Sequence, residues 1–165
     1  MAKITLKGNP VNTSGNLPLK GTRAPEFSLI KSDLGSLSLS ELKGKKLVLS
    51  ISPSLDTSVC ATSVRKFNKI AAEKKNTMVL AITKDLPFAH GRFCTTEGIT
   101  NVVTLSGFRD TNFGKSYGVE IKDGLFTGLY ARSIVVIDEN GIITHSQLVP
   151  EIAQEADYDA ALAAL

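Results

Sequence analysis

The chain has 165 residues, of which 42% are hydrophobic and 21% charged, and its formal net charge is +3. This length and composition predict one globular domain, residues 1–165, with a core of ordinary size. The basic residues are scattered and no aromatic residues alternate with them, so we expect no nucleic-acid partner. No apolar run approaches a membrane span and the N-terminus lacks a secretory signal, so we expect a cytoplasmic protein without membrane attachment.

The first predicted element is a small hairpin that precedes the main fold. Ile4 and Leu6 are apolar residues that alternate with polar ones, and a turn signal follows at positions 8–10. A polar stretch then continues to position 21. We predict that residues 1–21 form an N-terminal β-hairpin extension that decorates the core without building it.

From position 46 the apolar pattern becomes regular. The segment 46–51 predicts a buried strand, and a helix that runs through Lys75 follows it after a short loop. The next strand is predicted at 78–82. Pro87 is tolerated in the first turn of a helix, so we predict that it introduces a second helix, which contains Cys94.

The remaining elements complete an alternating pattern. A short strand is predicted at 102–105 and a short helix at 112–117. The apolar run 133–137 predicts a third core strand, which the dipeptide Asn140-Gly141 turns back into a further strand. A last helix closes the chain.

Written in order, these elements are β-α-β-α, an insertion, and then β-β-α. This order predicts an α/β protein with the thioredoxin-like fold, in which helices flank a mixed central β-sheet. Active sites in open sheets of this kind gather beyond the carboxyl ends of the strands. Cys60 falls at such a point, where the first core strand passes into the first helix.

Cys60 is therefore the residue on which we centre the functional hypothesis. A sulfur at a helix start meets unpaired N–H groups and the positive end of the helix dipole, and both favour the thiolate over the neutral thiol. The thiolate is the nucleophilic form. In a reducing compartment a permanent structural disulfide is disfavoured, so Cys60 and Cys94 are inert, metal-binding or transiently catalytic.

Three further residues are candidates for the same site. Pro53 lacks an N–H and has a fixed backbone torsion, so it either shapes a pocket beside the sulfur or simply ends the strand. The Thr57 hydroxyl either caps the helix or contacts the sulfur and a substrate oxygen. Arg132 precedes the third core strand, where its guanidinium is either a surface charge or a group that stabilises the Cys60 thiolate and binds adjacent substrate oxygens.

Taken together, Pro53, Thr57, Cys60 and Arg132 resemble the active site of the peroxiredoxins, enzymes that reduce hydroperoxides through a cysteine sulfenic acid. The resemblance is closest to the bacterial thiol peroxidases, the atypical two-cysteine subfamily, and it runs over nearly the whole chain. The stretches that carry it are 54–68, 85–89, 92–94 and 135–140.

The resemblance implies that Cys60 is the peroxidatic cysteine, that Cys94 is the resolving cysteine, and that Pro53, Thr57 and Arg132 shape the peroxide pocket. It also implies an intramolecular disulfide between the two cysteines, a homodimer, and thioredoxin as the reductant of an enzyme that acts on hydrogen peroxide and organic hydroperoxides. A disulfide requires Cα atoms within about 7 Å. Because the two cysteines lie on different predicted helices, we expect local unwinding on oxidation.

His90 and Gly91 depart from the subfamily, whose members tend to have glutamine and a small residue there. Glycine within a helix costs about 1 kcal/mol relative to alanine, so we predict that Gly91 loosens the segment that bears Cys94. His90 and Cys94 share a helix face, which would permit a metal site, but paired C-x-x-C ligands are absent. No dinucleotide-binding glycine pattern occurs either, so we expect no metal and no cofactor.

One alternative function stays open at this stage. It is a thioredoxin-like disulfide exchanger, or a redox-sensing module, without significant peroxide turnover. The absence of C-x-x-C at the helix start argues against the exchanger. A sensor has no need for the combination of Pro53, Thr57, Cys60 and Arg132.

Overall fold

Seven strands form one mixed sheet and two more form a separate N-terminal hairpin in the computed structural model, which describes residues 1–165. The strands are β1 (Lys3–Leu6), β2 (Asn9–Asn12), β3 (Ser28–Lys31), β4 (Ser36–Ser38), β5 (Lys46–Ile51), β6 (Thr77–Thr83), β7 (Val102–Ser106), β8 (Ser133–Ile137) and β9 (Ile143–Leu148). The helices are α1 (Ser58–Glu73), α2 (Pro87–Glu97), α3 (Phe113–Ser116) and α4 (Tyr158–Ala163). None of these helices has the length and apolar composition that crossing a membrane requires.

The order of the strands brings the end of β5 and the start of β8 together. The sheet runs β4-β3-β7-β6-β5-β8-β9, with β5, β6 and β7 parallel and β8 antiparallel to β5. Ile51 of β5 lies opposite Ser133 of β8. Arg132 directly precedes β8. It therefore lies beside the loop that follows β5, at one end of these two strands. The predicted α/β architecture, a mixed sheet flanked by helices, is confirmed.

Both faces of the sheet are covered, which explains why its central strands are nearly continuous apolar runs. Leu49 of β5 packs on one face in a cluster that includes Phe113 of α3. Val48 packs on the opposite face, in a cluster with Phe67 of α1 and Phe93 of α2. The helices that carry the two cysteines therefore share one face of the sheet.

The N-terminal hairpin packs onto the body of the protein and builds a third buried cluster. The cluster joins apolar residues of the hairpin to residues of three later segments: Ile4, Leu6, Val11, Ile121, Ala131 and Ile152. The hairpin itself is confirmed, but the expectation that it only decorates the core is wrong. Its alternating apolar residues form one apolar face, and the segments around positions 131 and 152 provide the apolar surface against which this face is buried.

Sequence patterns do not predict β3 and β4. The two strands pair with each other in antiparallel fashion, and β3 joins the sheet through two residue pairs with β7. Neither strand exceeds four residues. The short strand predicted at 102–105 and the short helix predicted at 112–117 are present as β7 and α3.

Candidate active site

The loop between β5 and α1 is held in place by the carboxylate of Asp85. Asp85 Oδ1 accepts a hydrogen bond of 2.8 Å from Ser54 Oγ, and Asp85 Oδ2 accepts one of 2.8 Å from the Leu55 N–H. Asp85 follows β6, the parallel neighbour of β5. The loop that precedes Cys60 is thus held by hydrogen bonds to the next strand-to-helix connection.

Thr57 is the N-cap of α1. Its backbone is extended, its Oγ1 accepts a hydrogen bond of 3.3 Å from the Cys60 N–H, and it donates one of 3.2 Å to the Ser54 carbonyl. Of the two roles predicted for Thr57, the structure displays the capping role. The cap starts α1 at Ser58 and thereby places Cys60 in the first turn, where backbone N–H groups and the helix dipole favour an anion.

Cys60 and Arg132 form a buried pair. The Cys60 side chain is fully buried and Arg132 is only 4% exposed. Arg132 Nη1 donates to Cys60 Sγ over 3.1 Å, and Arg132 Nε donates to the Ile152 carbonyl over 2.8 Å. The surface-charge alternative for Arg132 is wrong, because the guanidinium lies inside the protein against the sulfur. A cation at hydrogen-bonding distance favours the thiolate.

Pro53 lies buried in the same loop, two positions after the end of β5. A proline at this point leaves one backbone donor fewer to satisfy in a buried turn. Hydrogen bonds join Thr57, Cys60 and Arg132 directly. Pro53 completes the segment that leads to them.

Cys94 lies apart from this group. It is half-buried on α2, and both cysteines are free thiols. Burial raises the pKa of the Cys94 thiol, and an interaction with the Thr104 side chain offsets only part of this. Thr104 of β7 stands in the same row of the sheet as Ile134 of β8, three strand steps away. At about 4.8 Å a step, β7, which carries this neighbour of Cys94, and β8, which directly follows Arg132, the neighbour of Cys60, are about 14 Å apart.

Ion pairs join the two cysteine-bearing helices. Arg65 Nε of α1 lies 2.9 Å from Glu97 Oε2 of α2, and Arg92 Nη2 of α2 lies 3.8 Å from Asp56 Oδ2 in the loop before α1. Each pair lies within five residues of a cysteine along the chain. A movement that separates these helices must break them.

His90 belongs to a polar network that the sequence analysis missed. The ring is fully buried, and His90 Nε2 lies 2.7 Å from Thr83 Oγ1, which donates in turn to Asp85 Oδ2 over 2.9 Å. Burial lowers the pKa of His90, and the nearby Asp85 carboxylate offsets only part of this, so the ring is neutral at neutral pH. Because the Thr83 hydroxyl proton is used toward Asp85, His90 Nε2 is the donor in its contact with Thr83.

Asp85 could have been found from the sequence by its position. A polar side chain just after a parallel strand, beside the strand that leads to the candidate nucleophile, lies at the same edge of the sheet. The role of the Ile152 carbonyl leaves no such signal, because any residue can supply a backbone oxygen. No group of three or more His, Cys, Asp or Glu side chains converges in a way that could hold a metal ion.

A large cavity lies away from this site. It has a volume of about 640 Å³ and lies at the opposite edge of the sheet, beside the start of β5 and the end of β8, with Leu47 and Ile137 in its lining. The chemistry nevertheless argues for Cys60 and its surroundings as the site. A nucleophilic sulfur with a buried cation defines a reactive site, whereas volume alone does not.

A thioredoxin-like sheet that presents a buried cysteine at a helix start, paired with a buried arginine, defines a thiol-dependent peroxidase of the peroxiredoxin class. The redoxin family model matches residues 19–162. The chain is 55% identical over 165 residues to the thiol peroxidases of Corynebacterium glutamicum and Mycobacterium tuberculosis, covering 100% of this chain and 99% of each relative.

Comparison with solved structures agrees. The crystal structure of a peroxiredoxin-like protein from Aquifex aeolicus matches with a TM-score of 0.92 and 40% identity, over 99% of this chain and 95% of that chain. The chain therefore belongs to the redoxin family, within the thiol peroxidase group of the peroxiredoxins. The resemblance drawn from the sequence is confirmed, and the protein is an oxidoreductase with peroxidase activity.

Proposed function

We propose that this peroxidase reduces hydrogen peroxide and organic hydroperoxides through a sulfenic acid on Cys60, that Cys94 resolves this acid as an intramolecular disulfide, and that thioredoxin restores the dithiol. The contact of 3.1 Å between Arg132 Nη1 and Cys60 Sγ carries the proposal. A buried charge pair contributes little to stability, because desolvation of both groups offsets their attraction. Stability therefore does not explain the contact between Arg132 and Cys60, and its position in the first turn of a helix supports a chemical role.

The first step transfers one oxygen atom to sulfur. The Cys60 thiolate attacks the terminal oxygen of the hydroperoxide in line with the O–O bond, so the S–O bond forms as the O–O bond breaks. The sulfur is oxidised to the sulfenic acid, and the leaving alkoxide or hydroxide takes a proton from solvent. Arg132 keeps three N–H donors beyond those bound to Cys60 and Ile152, and we assign these to the charge that develops on the peroxide oxygens.

Thr57 and Pro53 are the other proposed pocket residues. The Thr57 hydroxyl now donates to the Ser54 carbonyl and would donate to a peroxide oxygen once substrate is bound. Pro53 lines the proposed pocket beside the sulfur. Because it has no backbone N–H, it adds no donor that would compete with Thr57 and Arg132 for the substrate oxygens. Both assignments follow the resemblance and the position of the loop.

The second step joins the two cysteines. The Cys94 thiol loses its proton and attacks the Cys60 sulfenic sulfur, so an S–S bond forms and water leaves. The Cys60 thiol contacts Arg132 beside β8 and the Cys94 thiol interacts with Thr104 of β7, and these strands are about 14 Å apart. We therefore expect the first turn of α1, the Cys94 part of α2, or both to open. Opening also removes Cys94 from the buried surroundings that raise the pKa of its thiol.

The remaining parts of the proposal concern the partners and the assembly. A dithiol protein of the thioredoxin type reduces the disulfide by exchange and is itself oxidised. We propose a homodimer, supported by Leu86, Phe88 and Phe108, three large apolar side chains that are exposed near the active edge of the sheet. We also propose that residues 1–165 act as one domain, because the hairpin shares a buried cluster with the body.

Stopped-flow kinetics with the reduced protein test this function. Rapid consumption of peroxide should be lost in Cys60→Ser, whereas Cys94→Ser should still consume one peroxide for each chain and accumulate the sulfenic acid. The disulfide exchanger or redox sensor predicts no rapid consumption of peroxide in the unmodified protein or in either variant. Thiol exchange without rapid consumption of peroxide in the unmodified protein would favour that alternative.

A further inference from the structure

The guanidinium of Arg132 is oriented by a single backbone carbonyl. Arg132 Nε donates to the Ile152 oxygen over 2.8 Å while Nη1 donates to Cys60 Sγ. The guanidinium is planar and rigid, so the acceptor of Nε also sets the direction of Nη1. Ile152 lies outside the helices and strands, in a turn that follows β9. The orientation of the Arg132 guanidinium therefore depends on the contacts that fix this turn in place.

Glu151 accepts four hydrogen bonds, three of which hold the turn against the N-terminal hairpin while the fourth stays within the turn. Its Oε1 accepts from the N–H groups of Lys7 at 2.9 Å and Ala153 at 3.1 Å. Its Oε2 accepts from Thr5 Oγ1 at 2.6 Å and from the Gly8 N–H at 3.1 Å. Lys7 and Gly8 have positive φ angles of 51° and 80°, and successive N–H groups in such a turn form an anion-binding concavity.

These contacts keep Glu151 ionised. The hydrogen bonds from Thr5, Gly8, Lys7 and Ala153 lower the pKa of Glu151 to about 2. The carboxylate, which is charged at neutral pH, therefore stays charged into the acid range, and it can accept all four donors at once. A neutral side chain with a single acceptor oxygen could not satisfy them.

The backbone and the third buried cluster strengthen the same connection. The Thr5 N–H donates to the Pro150 carbonyl over 2.8 Å, and the Ile152 N–H donates to the Thr5 carbonyl over 2.9 Å. Ala131, the residue before Arg132, and Ile152 both pack in the cluster that the hairpin builds. Arg132 is thus connected to the hairpin in two ways: through Ala131, which precedes it in the chain, and through Ile152, whose carbonyl accepts its hydrogen bond.

We propose that Glu151 is a positioning residue of the peroxidase: it clamps the turn of the hairpin onto residues 150–153 and so holds the Ile152 carbonyl where it directs Arg132 at Cys60 and at the peroxide. This inference rests on the proposed roles of Cys60 and Arg132. It gives the N-terminal hairpin a part in catalysis although none of its residues contacts the sulfur.

The chain offers a matched control for the clamp. Asp123 also binds the hairpin with its carboxylate, accepting from the Asn12 N–H at 2.8 Å and from Asn12 Nδ2 at 2.7 Å. These bonds attach β2 and do not involve residues 150–153. Asp123→Asn therefore loosens the hairpin while it leaves the path from Glu151 to Arg132 intact.

The rate of Cys60 oxidation by hydrogen peroxide tests the proposal in the reduced full-length protein. Glu151→Gln should lower the second-order rate constant at least about tenfold, since small misplacements of a catalytic group cost this much or more. Asp123→Asn should stay within about twofold, because its site is independent of the clamp. Equal rate constants in the two variants, whether both fall or both persist, would overturn the assignment.

The exchange of the Arg132 Nε–H with solvent provides a second readout that needs no peroxide. Its NMR signal, assigned by its loss in Arg132→Lys, should exchange slowly in the unmodified protein and in Asp123→Asn, and faster in Glu151→Gln. Unchanged exchange in Glu151→Gln would overturn the proposal even if the rate constant fell. If the unmodified protein failed to oxidise Cys60, the proposed function would be lost, and this exchange would still decide whether Glu151 orients Arg132.

Thr5→Val keeps the test decisive if Glu151→Gln does not fold. The substitution preserves the side-chain shape and removes the 2.6 Å hydrogen bond to Glu151 Oε2. We expect its rate constant and its Arg132 exchange to change in the same direction as in Glu151→Gln, and by less. No change in either quantity would contradict the clamp.

Discussion

At the scale of single residues, the site is a short series of hydrogen bonds that runs from Arg132 through Cys60 to Thr57. The Cys60 sulfur accepts from Arg132, and the Cys60 N–H donates to Thr57. The types of these residues could be predicted from the sequence, because the spacing from Pro53 to Cys60 and the place of Arg132 before a core strand are local features. Their contacts could not, because Arg132 reaches the sulfur across 72 residues of sequence.

Arg132→Lys tests the need for a planar cation. Lysine lacks the planar guanidinium, so its ammonium group cannot bind the Ile152 carbonyl, the sulfur and a peroxide in one fixed geometry. The rate constant for Cys60 oxidation should therefore fall about 100-fold or more. Arg109→Lys, at an exposed position, serves as the control and should leave the rate unchanged. A rate in Arg132→Lys equal to that of this control would show that charge alone suffices.

Thr57 offers a separate prediction about the start of α1. Thr57→Val removes the cap and should lower the free energy of unfolding by about 1 kcal/mol, whereas Thr57→Ser keeps the hydroxyl and should retain most of it. Denaturant unfolding of the reduced protein measures both values. Equal stability of the two variants would mean that the hydrogen bond to the Cys60 N–H adds nothing.

At the scale of elements, the proposed role of Cys94 requires α2 to have a folded state that holds this residue and an open state that releases it. The helix ends at Gly98, whose φ angle of 66° suits glycine, and the N–H groups of Gly98 and Ile99 both donate to the Cys94 carbonyl. Opening of this last turn frees the backbone of Cys94. The Arg65–Glu97 ion pair, which spans α1 and α2, must break if the opening extends to Glu97.

We predict that Gly91 influences how readily α2 opens. A Cβ at this position would meet only the Cβ of Ser32, at 3.8 Å, an ordinary contact, so alanine fits. Gly91→Ala should stabilise α2 by up to about 1 kcal/mol and slow disulfide formation by up to about fivefold. Ala89→Gly, in the same helix, should act in the opposite direction.

The rate of the second step, measured after rapid formation of the sulfenic acid, decides this prediction together with hydrogen exchange of α2. If exchange of residues 92–97 were the same in Gly91→Ala and in the unmodified protein, Gly91 would not loosen the segment. A change in exchange without any change in the rate would mean that opening of α2 does not limit disulfide formation.

The elements that the sequence did not predict share a physical reason. β3 and β4 are short, and they form only because β7 offers an open edge for pairing. The core strands and helices carry their own periodic signal, and these were predicted. A strand that depends on a distant partner for its hydrogen bonds has too little local pattern to be recognised.

At the scale of the whole molecule, the two ends of the chain meet beside the active site. Glu151 and Thr5 are 146 positions apart in sequence and hydrogen-bonded in space. The sequence predicted a hairpin, but not its role, because closure of the fold is what brings it to the segment behind Arg132. Removal of the hairpin should therefore affect the reaction as well as the stability.

This closure predicts a dependence of stability on pH. The pKa of Glu151 is lowered from 4.5 to about 2 in the folded protein, so its contribution to stability is present above pH 4.5 and is lost as the pH falls from there toward about 2. The unmodified protein should be more stable than Glu151→Gln at neutral pH, and the difference should vanish in this acid range. A difference that stayed constant through it would contradict the linkage.

Mass spectrometry of the reduced protein after treatment with one equivalent of hydrogen peroxide tests the central claim most directly. We predict that Cys60 is oxidised first, and that the product is a single disulfide between Cys60 and Cys94 with no other site modified. Protein in which Cys60 is untouched while peroxide is consumed would contradict the account. Oxidised Cys60 with no link to Cys94 would contradict its second step.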